Sequence, residues 1–135
     1  MKSQQKGSSW RRVALFGMTD GQEEQLQSKF KDVIPIFRTD CVTDLIALPF
    51  IALVISSAAM TQQEVELIFG YFEELDDFPE LVAFIGSVSF PHQPKGRIRV
   101  FDTYEKFLAV APIRFYAAYM RKALEMNCIH GETMV

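Results

Sequence analysis

Short apolar runs alternate along this chain with segments of helical periodicity. The apolar runs predict β-strands at 13–16, 34–37, 51–55 and 81–85. The third run is continuous, which is typical of a strand covered on both faces of a parallel sheet. Residues 97–101 alternate charged and apolar side chains, a pattern that favours a fifth strand at the edge of the sheet.

Three capping boxes predict where helices begin between these strands. Each box pairs a polar N-cap residue with a Glu three positions later. The pairs are Asp20 with Glu23, Thr61 with Glu64, and Asp102 with Glu105. Apolar residues then follow at helical spacing, namely Leu26, Phe30 and Val33; Val65, Ile68, Phe69 and Phe72 as far as about Asp76; and Tyr104, Phe107, Leu108 and Ala111. A shorter helix, capped by Asp40 and ended by Pro49, is expected to bury Val42, Leu45 and Ile46.

The alternation of strands and helices predicts a three-layer, doubly wound α/β fold with a five-stranded parallel sheet in the order 2-1-3-4-5. Pro91 and Pro94 occupy the segment after the fourth strand, so the fourth helix is expected to be missing or irregular. A second possibility makes 107–111 the last strand, with a helix starting at Ile113. The first is preferred because its capping box and its alternation agree. In that case Pro112 is expected to kink or break the last helix.

The size of the chain suits one domain with a substantial core, since 49% of its 135 residues are hydrophobic. We expect a flexible tail at 1–9, the domain at 10–127 and a second tail at 128–135. The uncharged stretch 45–63 has the length of a membrane span. Pro49, Ser56 and Ser57 interrupt it, which favours a strand and a loop, and no membrane association is expected.

Charge and cysteine content narrow the classes of partner and cofactor. A net charge of −3 argues against nucleic-acid binding. The two cysteines, Cys41 and Cys128, form no CxxC motif, so we expect reduced thiols in a cytoplasmic protein. Neither they nor His130 have metal-ligand spacing, and we expect no metal and no cofactor.

Acidic and basic residues are segregated along the chain. Between Arg38 and Lys95 there are nine acidic residues and no Lys or Arg, whereas seven basic residues fall from Lys95 to Lys122. The favoured interpretation is that these are solvated helix faces. The alternative is a dipolar surface that orients a partner or a second copy of the chain.

Polar residues follow several of the predicted strands at their carboxyl ends, where open α/β sheets bind ligands. Thr19 and Asp20 follow the first strand, Ser56 and Ser57 the third, and Ser87 the fourth. These five residues are our candidate ligand-binding positions. The more ordinary role for the serines is to satisfy backbone groups where a strand leaves the sheet.

Nucleophilic catalysis is not expected, so we predict that the chain is not an enzyme and assign no catalytic residue. A hydrolase would need a base for one of the serines, and His92 is the histidine that follows a strand near them. No GxSxG motif is present, and nothing orients the imidazole. His92 is better explained as an exposed residue in a loop between two prolines.

Three features of residues 11–125, roughly, point to a known family: the order and length of the elements, the stretch ELVAFIGS that ends at Ser87, and the closing amphipathic segment IRFYAAYMRKALEM. In these features the chain resembles the receiver domains of bacterial response regulators. The resemblance implies an acidic pair after the first strand and a phosphoacceptor Asp at the end of the third. Here Asp20 is the acid near the first strand, and the third strand ends at Ser56 and Ser57. Ser87 matches the family's switch Ser/Thr. The resemblance therefore implies a pseudo-receiver that is not switched by aspartyl phosphorylation.

The last helix carries apolar residues on nearly every side, more than packing on one sheet requires. We expect Phe115, Tyr116, Tyr119 and Met120 to form an interface with a protein partner or with a second copy. The receiver resemblance implies the same, since the final helix and the strand before it often form the dimer face in that family. The sequence therefore suggests a non-catalytic regulatory or protein-interaction domain. The alternative is an α/β domain that binds a small or phosphate-containing ligand at the carboxyl ends of the strands.

Overall fold

The computed structural model describes residues 9–47, 49–75, 79–94 and 96–134, with side chains from Trp10 to Met126. Five parallel strands form one open sheet in the order β2-β1-β3-β4-β5. The strands are β1 (Val13–Phe16), β2 (Ile36–Thr39), β3 (Ala52–Ser56), β4 (Leu81–Ile85) and β5 (Ile98–Phe101). The α-helices are α1 (Asp20–Gln27), α2 (Gln62–Glu74) and α3 (Tyr104–Met134). The predicted fold class and strand order are confirmed.

The last strand is the one that alternates charged and apolar residues. β5 pairs with β4 from Val82 opposite Ile98 to Ile85 opposite Phe101, and it forms an edge of the sheet. The alternative strand at 107–111 is wrong, because those residues lie inside α3.

Each face of the sheet carries its own hydrophobic core. Side chains of β1, β3 and β4 alternate between the two faces, as a period of two requires. One core includes Leu15, Val54, Ala83 and residues of α1 and α3, such as Phe115. The other includes Phe16, Leu53, Phe84 and α2 residues such as Phe69. The central strands are therefore covered on both sides, which explains their uninterrupted apolar sequence.

The connection between β4 and β5 contains no helix in its described residues, 86–94 and 96–97, as predicted. An aromatic side chain from this segment covers the sheet instead. Phe90 stacks on Phe69 of α2 with ring centroids 4.4 Å apart, and meets Phe84 of β4 edge-on at 5.2 Å. An irregular segment that packs Phe90 against α2 and β4 thus takes the place of the fourth helix.

Helix α1 begins and ends at residues other than those predicted. Its N-cap is Thr19, whose Oγ1 accepts from the Gln22 N–H at 3.1 Å while Gln22 Oε1 accepts from the Thr19 N–H at 2.9 Å. Asp20 is the first helical residue and pairs with Arg38 of β2. The helix stops at Gln27, so Val33 lies outside it and is 85% exposed. The Gln27 side chain then donates to the Asp32 carbonyl and accepts from the Ile34 N–H, which satisfies backbone groups of the turn.

The segment after β2 is a 3₁₀ turn, Val42–Ile46, and not an α-helix capped by Asp40. The Thr39 hydroxyl accepts from the Cys41 N–H at 2.9 Å and donates to Asp44 Oδ2 at 2.6 Å, so Thr39 organises this turn. Leu45 is buried, as expected, whereas Ile46 is partly exposed.

Helix α2 begins with the predicted capping box of Thr61 and Glu64 and ends at Glu74. Helix α3 is capped by Thr103 and not by Asp102, since Thr103 Oγ1 accepts from the Lys106 N–H at 3.2 Å.

The expected break at Pro112 does not occur, and α3 runs through it to Met134. Pro112 removes one backbone donor, a loss that the burial of Ala111 and Phe115 on either side offsets. The segment 128–134, expected to be a tail, is helical. The other predicted tail, 1–9, lies outside the described residues except for Ser9, which begins a short 3₁₀ turn.

Tyr104 connects the first turn of α3 to α1. Its hydroxyl donates to the Gln22 carbonyl at 2.6 Å. Burial and, secondarily, the Glu23 carboxylate raise the pKa of Tyr104 to about 12. Burial also raises the pKa of Tyr119. Both tyrosines therefore favour the protonated form in the folded state.

This shift predicts a loss of stability in alkali. The contribution of Tyr104 is fully present below its unfolded pKa of about 10 and is lost as the pH rises towards 12. We expect the free energy of unfolding to fall by about 2 kcal/mol between pH 9 and pH 11.5 from this group, with a further loss from Tyr119. Urea unfolding across this range measures the decline, which should be shallower in Tyr104→Phe. An equally steep decline in both proteins would contradict the assignment.

Candidate functional site

The candidate ligand-binding residues lie at the carboxyl edge of the sheet, because β1, β3 and β4 are parallel neighbours. Two glycines bring the chain segments close together there. A Cβ on Gly17, which has a φ of +71°, would lie 3.3 Å from the Ser56 Cβ. A Cβ on Gly86, with a φ of +118°, would lie 2.5 Å from the Ser57 Oγ. Both serines therefore pack directly against turns that follow neighbouring strands.

Ser57 has a structural use in this arrangement. Its hydroxyl donates to the Ile85 carbonyl at 2.9 Å, which ties the 3₁₀ turn Ser57–Ala59 to the end of β4. The bond satisfies a main-chain acceptor where the strand leaves the sheet, the ordinary role expected for a serine there. Its proton is thus committed to β4 and not to a ligand.

Thr19 and Asp20 are also engaged within the fold. Thr19 caps α1, and the Asp20 carboxylate accepts from Arg38, which also donates to Glu23 at 3.0 Å. The hydrogen bonds that Arg38 donates, first to Asp20 and then to Glu23, raise the pKa of its guanidinium. The charge of Asp20, the acid nearest β1, is therefore balanced by Arg38 of the neighbouring strand β2, which makes Asp20 a weaker metal ligand.

Ser56 and Ser87 are less constrained. Ser56 is half-buried and makes no side-chain capping bond to the turn that it precedes, while Ser87 is exposed. Within the described part of the chain, no group of three or more His, Cys, Asp or Glu residues could hold a metal ion.

His92 lies at the flank of α2. Its Nε2 is 3.1 Å from Glu73 Oε2, and its ring meets Phe69 edge-on at 5.2 Å. Half of its side chain is exposed. The contacts of Ser57 and His92 therefore lead to different elements, Ser57 to β4 and His92 to α2.

The four predicted interface residues of α3 point in different directions. Phe115 is buried in the core. Tyr119 is half-buried beside Trp10, and its hydroxyl donates to the Arg11 carbonyl at 2.8 Å. Tyr116 and Met120 are exposed, as are two apolar residues that the prediction did not include, Ile113 and Leu124. The exposed fractions are 74% for Ile113, 68% for Tyr116, 41% for Met120 and 57% for Leu124.

These four residues form one line along the helix, since steps of three or four residues keep side chains on the same face. We call them the apolar stripe. The helical spacing was the available signal for Ile113 and Leu124, but a helix that is apolar on nearly every side does not reveal which face the sheet covers.

Comparisons of the chain with protein-family models, with curated protein sequences and with solved structures find no match. Among the described residues, no helix combines the length and the hydrophobicity that crossing a bilayer would require.

Proposed function

We propose that this chain is a non-catalytic, receiver-like regulatory domain that acts by protein–protein contact, with the apolar stripe of α3 forming a homodimer. The observation that carries the proposal is the exposure of Ile113, Tyr116, Met120 and Leu124 on one helix face. Tyr and Met are enriched in protein interfaces, and contiguous exposed apolar groups mark such surfaces.

The energetics favour a dimer of moderate affinity. Covering a large apolar side chain contributes about 1.5–3 kcal/mol, and a two-fold axis through the stripe would cover it on both copies. Association costs at least about 4 kcal/mol in lost freedom of motion, which offsets part of this gain. One stripe per chain therefore supports reversible association, as suits a regulatory contact.

The receiver-like part of the proposal rests on the strand order and on the sheet's carboxyl edge. The order is that of the receiver fold, and β3 ends in Ser56 where the resembled family has its phosphoacceptor Asp. With Asp20 held by Arg38, this edge offers little for Mg²⁺ or phosphoryl transfer. A ligand site here is less well supported, because Thr19, Asp20 and Ser57 already have partners within the fold.

Disrupting the apolar stripe is expected to dissociate the dimer. In the variant Tyr116→Glu/Met120→Lys the net charge is preserved and two exposed apolar groups become charged. We expect the dissociation constant to rise at least tenfold, about 1.4 kcal/mol or more, because association would have to remove two charged side chains from water. Sedimentation equilibrium measures it, and circular dichroism confirms that the fold is kept.

Leu67→Glu provides the matched control, since Leu67 is exposed on α2 and should not affect association. A wild-type chain that stays monomeric up to about 1 mM would refute the homodimer. Incubation with Mg²⁺ and an acyl-phosphate donor should leave the mass unchanged. A phosphoryl group on an Asp would refute the non-catalytic assignment.

A further inference from the structure

A depression of about 370 Å³ lies at the amino-terminal edge of β4 and β5, beside α3 and opposite the edge that carries the serines. Four arginines and two glutamates are its charged lining residues: Arg97, Arg99, Arg114, Arg121, Glu80 and Glu125. At this volume it falls within the range of small-molecule sites and exceeds the size of one simple ion.

The fold brings these arginines together from two elements. Arg99 of β5 is opposite Ala83, whose side chain belongs to the core on the α3 side, so Arg99 also faces α3. Arg114, Ala117 and Arg121 follow at steps of three and four residues and share one face of the helix. The small side chain of Ala117 leaves space between the two arginines.

The two carboxylates that line the depression, Glu80 and Glu125, form ion pairs with Arg121 and Lys122. The buried Glu80 accepts from Arg121 Nε at 3.0 Å, and its second oxygen lies 3.8 Å from Lys122 Nζ. Lys122 also donates to Glu125 at 2.8 Å. Arg121 and Lys122 thus balance the two acids.

Arg99 and Arg114 remain as positive charge without a carboxylate partner in the described part of the chain. The contact of Arg99 is a 3.4 Å hydrogen bond to the Ile98 carbonyl, and Arg114 is exposed. A strand residue that faces a packed helix is ordinarily apolar, so the position of Arg99 requires an explanation beyond packing.

We propose that this depression binds a small organic anion carrying at least two oxyanion groups, either phosphates or carboxylates. Guanidinium groups bind both groups through paired hydrogen bonds, and two unmatched arginines on facing elements favour a ligand with more than one charge. The proposed binding site is separate from the proposed dimer interface, because the depression is lined by the α3 face at 114, 117 and 121 and not by the apolar stripe.

The test is titration calorimetry of the full chain at low ionic strength with two separate probes, inorganic pyrophosphate and citrate. We expect saturable 1:1 binding of at least one probe. Pyrophosphate binding alone identifies a phosphate ligand, and citrate binding alone identifies a polycarboxylate. Arg99→Gln and Arg114→Gln should each weaken it at least tenfold, while Arg114→Lys should retain part of the affinity.

Lys106→Gln is the control, because Lys106 is an exposed cation of α3 that pairs with Asp102 outside the depression. Melting temperatures near that of the wild type would show that the variants are folded. Three results would overturn the proposal. The first is no saturation with either probe up to about 10 mM. The second is wild-type affinity in the Arg99→Gln and Arg114→Gln variants, and the third is a loss of affinity in Lys106→Gln as large as theirs. The first would also be expected if an acidic protein segment were the true occupant.

Discussion

Replacing Phe69 with alanine is expected to lower the free energy of unfolding by about 4 kcal/mol. Phe69 is a fully buried side chain of α2. It belongs to the core on that face of the sheet, stacks on Phe90 at 4.4 Å and meets His92 at 5.2 Å. Truncation removes the transfer free energy of the ring and leaves a cavity, since a β-sheet and a helix cannot close the space. Urea unfolding followed by circular dichroism measures the loss.

The same substitution has a local effect that distinguishes it from general core damage. The β4–β5 connection has no helix in its described residues, and Phe90 is its aromatic contact with both α2 and β4. Two polar contacts with α2 also hold the connection: His92 with Glu73, and Gln62 with the Ser89 carbonyl. Amide hydrogen exchange in 87–94 is therefore expected to accelerate more than exchange in β1. Leu67→Ala, an exposed position on the same helix, should change neither quantity. A loss below about 1.5 kcal/mol, or uniform acceleration across the sheet, would contradict this role.

The central strands could be predicted because burial on both faces leaves a strong apolar signal. The edge strand β2 is only partly buried, and it lies at Ile36–Thr39 and not at the predicted 34–37. β1 and β4 have the bounds that their apolar runs indicate, and the missing fourth helix follows from Pro91 and Pro94. The capping box at Thr61 was also readable, since no competing cap adjoins it. These features depend on local sequence, which explains why local patterns were sufficient.

The start of α1 could not be predicted, because Thr19 and Asp20 are both good N-cap residues. The choice depends on a distant residue, Arg38 of β2, which binds the Asp20 carboxylate and leaves Thr19 as the cap. The end of α1 depends on the Gln27 side chain, which bonds to backbone groups of the following turn. Neither interaction has a periodic signature.

The candidate sites show the same division between pattern and context. Parallel strands place Ser56, Ser57 and Ser87 at the same edge of the sheet, and this could be predicted from the sequence. The hydrogen bond from the Ser57 hydroxyl to the Ile85 carbonyl could not, because it depends on how the turn after β3 packs on β4. The basic segment from Lys95 to Lys122 was visible as an excess of charge. Its interpretation as solvated faces missed the depression, because β5 and α3 converge there only in the folded chain.

Glu80 presents the other large expected effect. It immediately precedes β4 and is buried, with Arg121 Nε 3.0 Å from one carboxylate oxygen and Lys122 Nζ 3.8 Å from the other. Lys122 is itself buried. A buried ion pair contributes little compared with apolar residues of the same shape, but removing one partner leaves the other charge in a poorly solvated place.

We therefore expect Glu80→Ala to lower the free energy of unfolding by about 3 kcal/mol. The retained bond from Lys122 to the exposed Glu125 keeps the loss from being larger. Lys122→Met should cost less, because Arg121 continues to bind Glu80. In the double variant Glu80→Ala/Lys122→Met no buried charge is left, so it should be more stable than Glu80→Ala, with a coupling energy of about 1–3 kcal/mol. Denaturant unfolding of the four proteins gives this cycle. If the two single losses simply add, Glu80 and Lys122 do not stabilise each other.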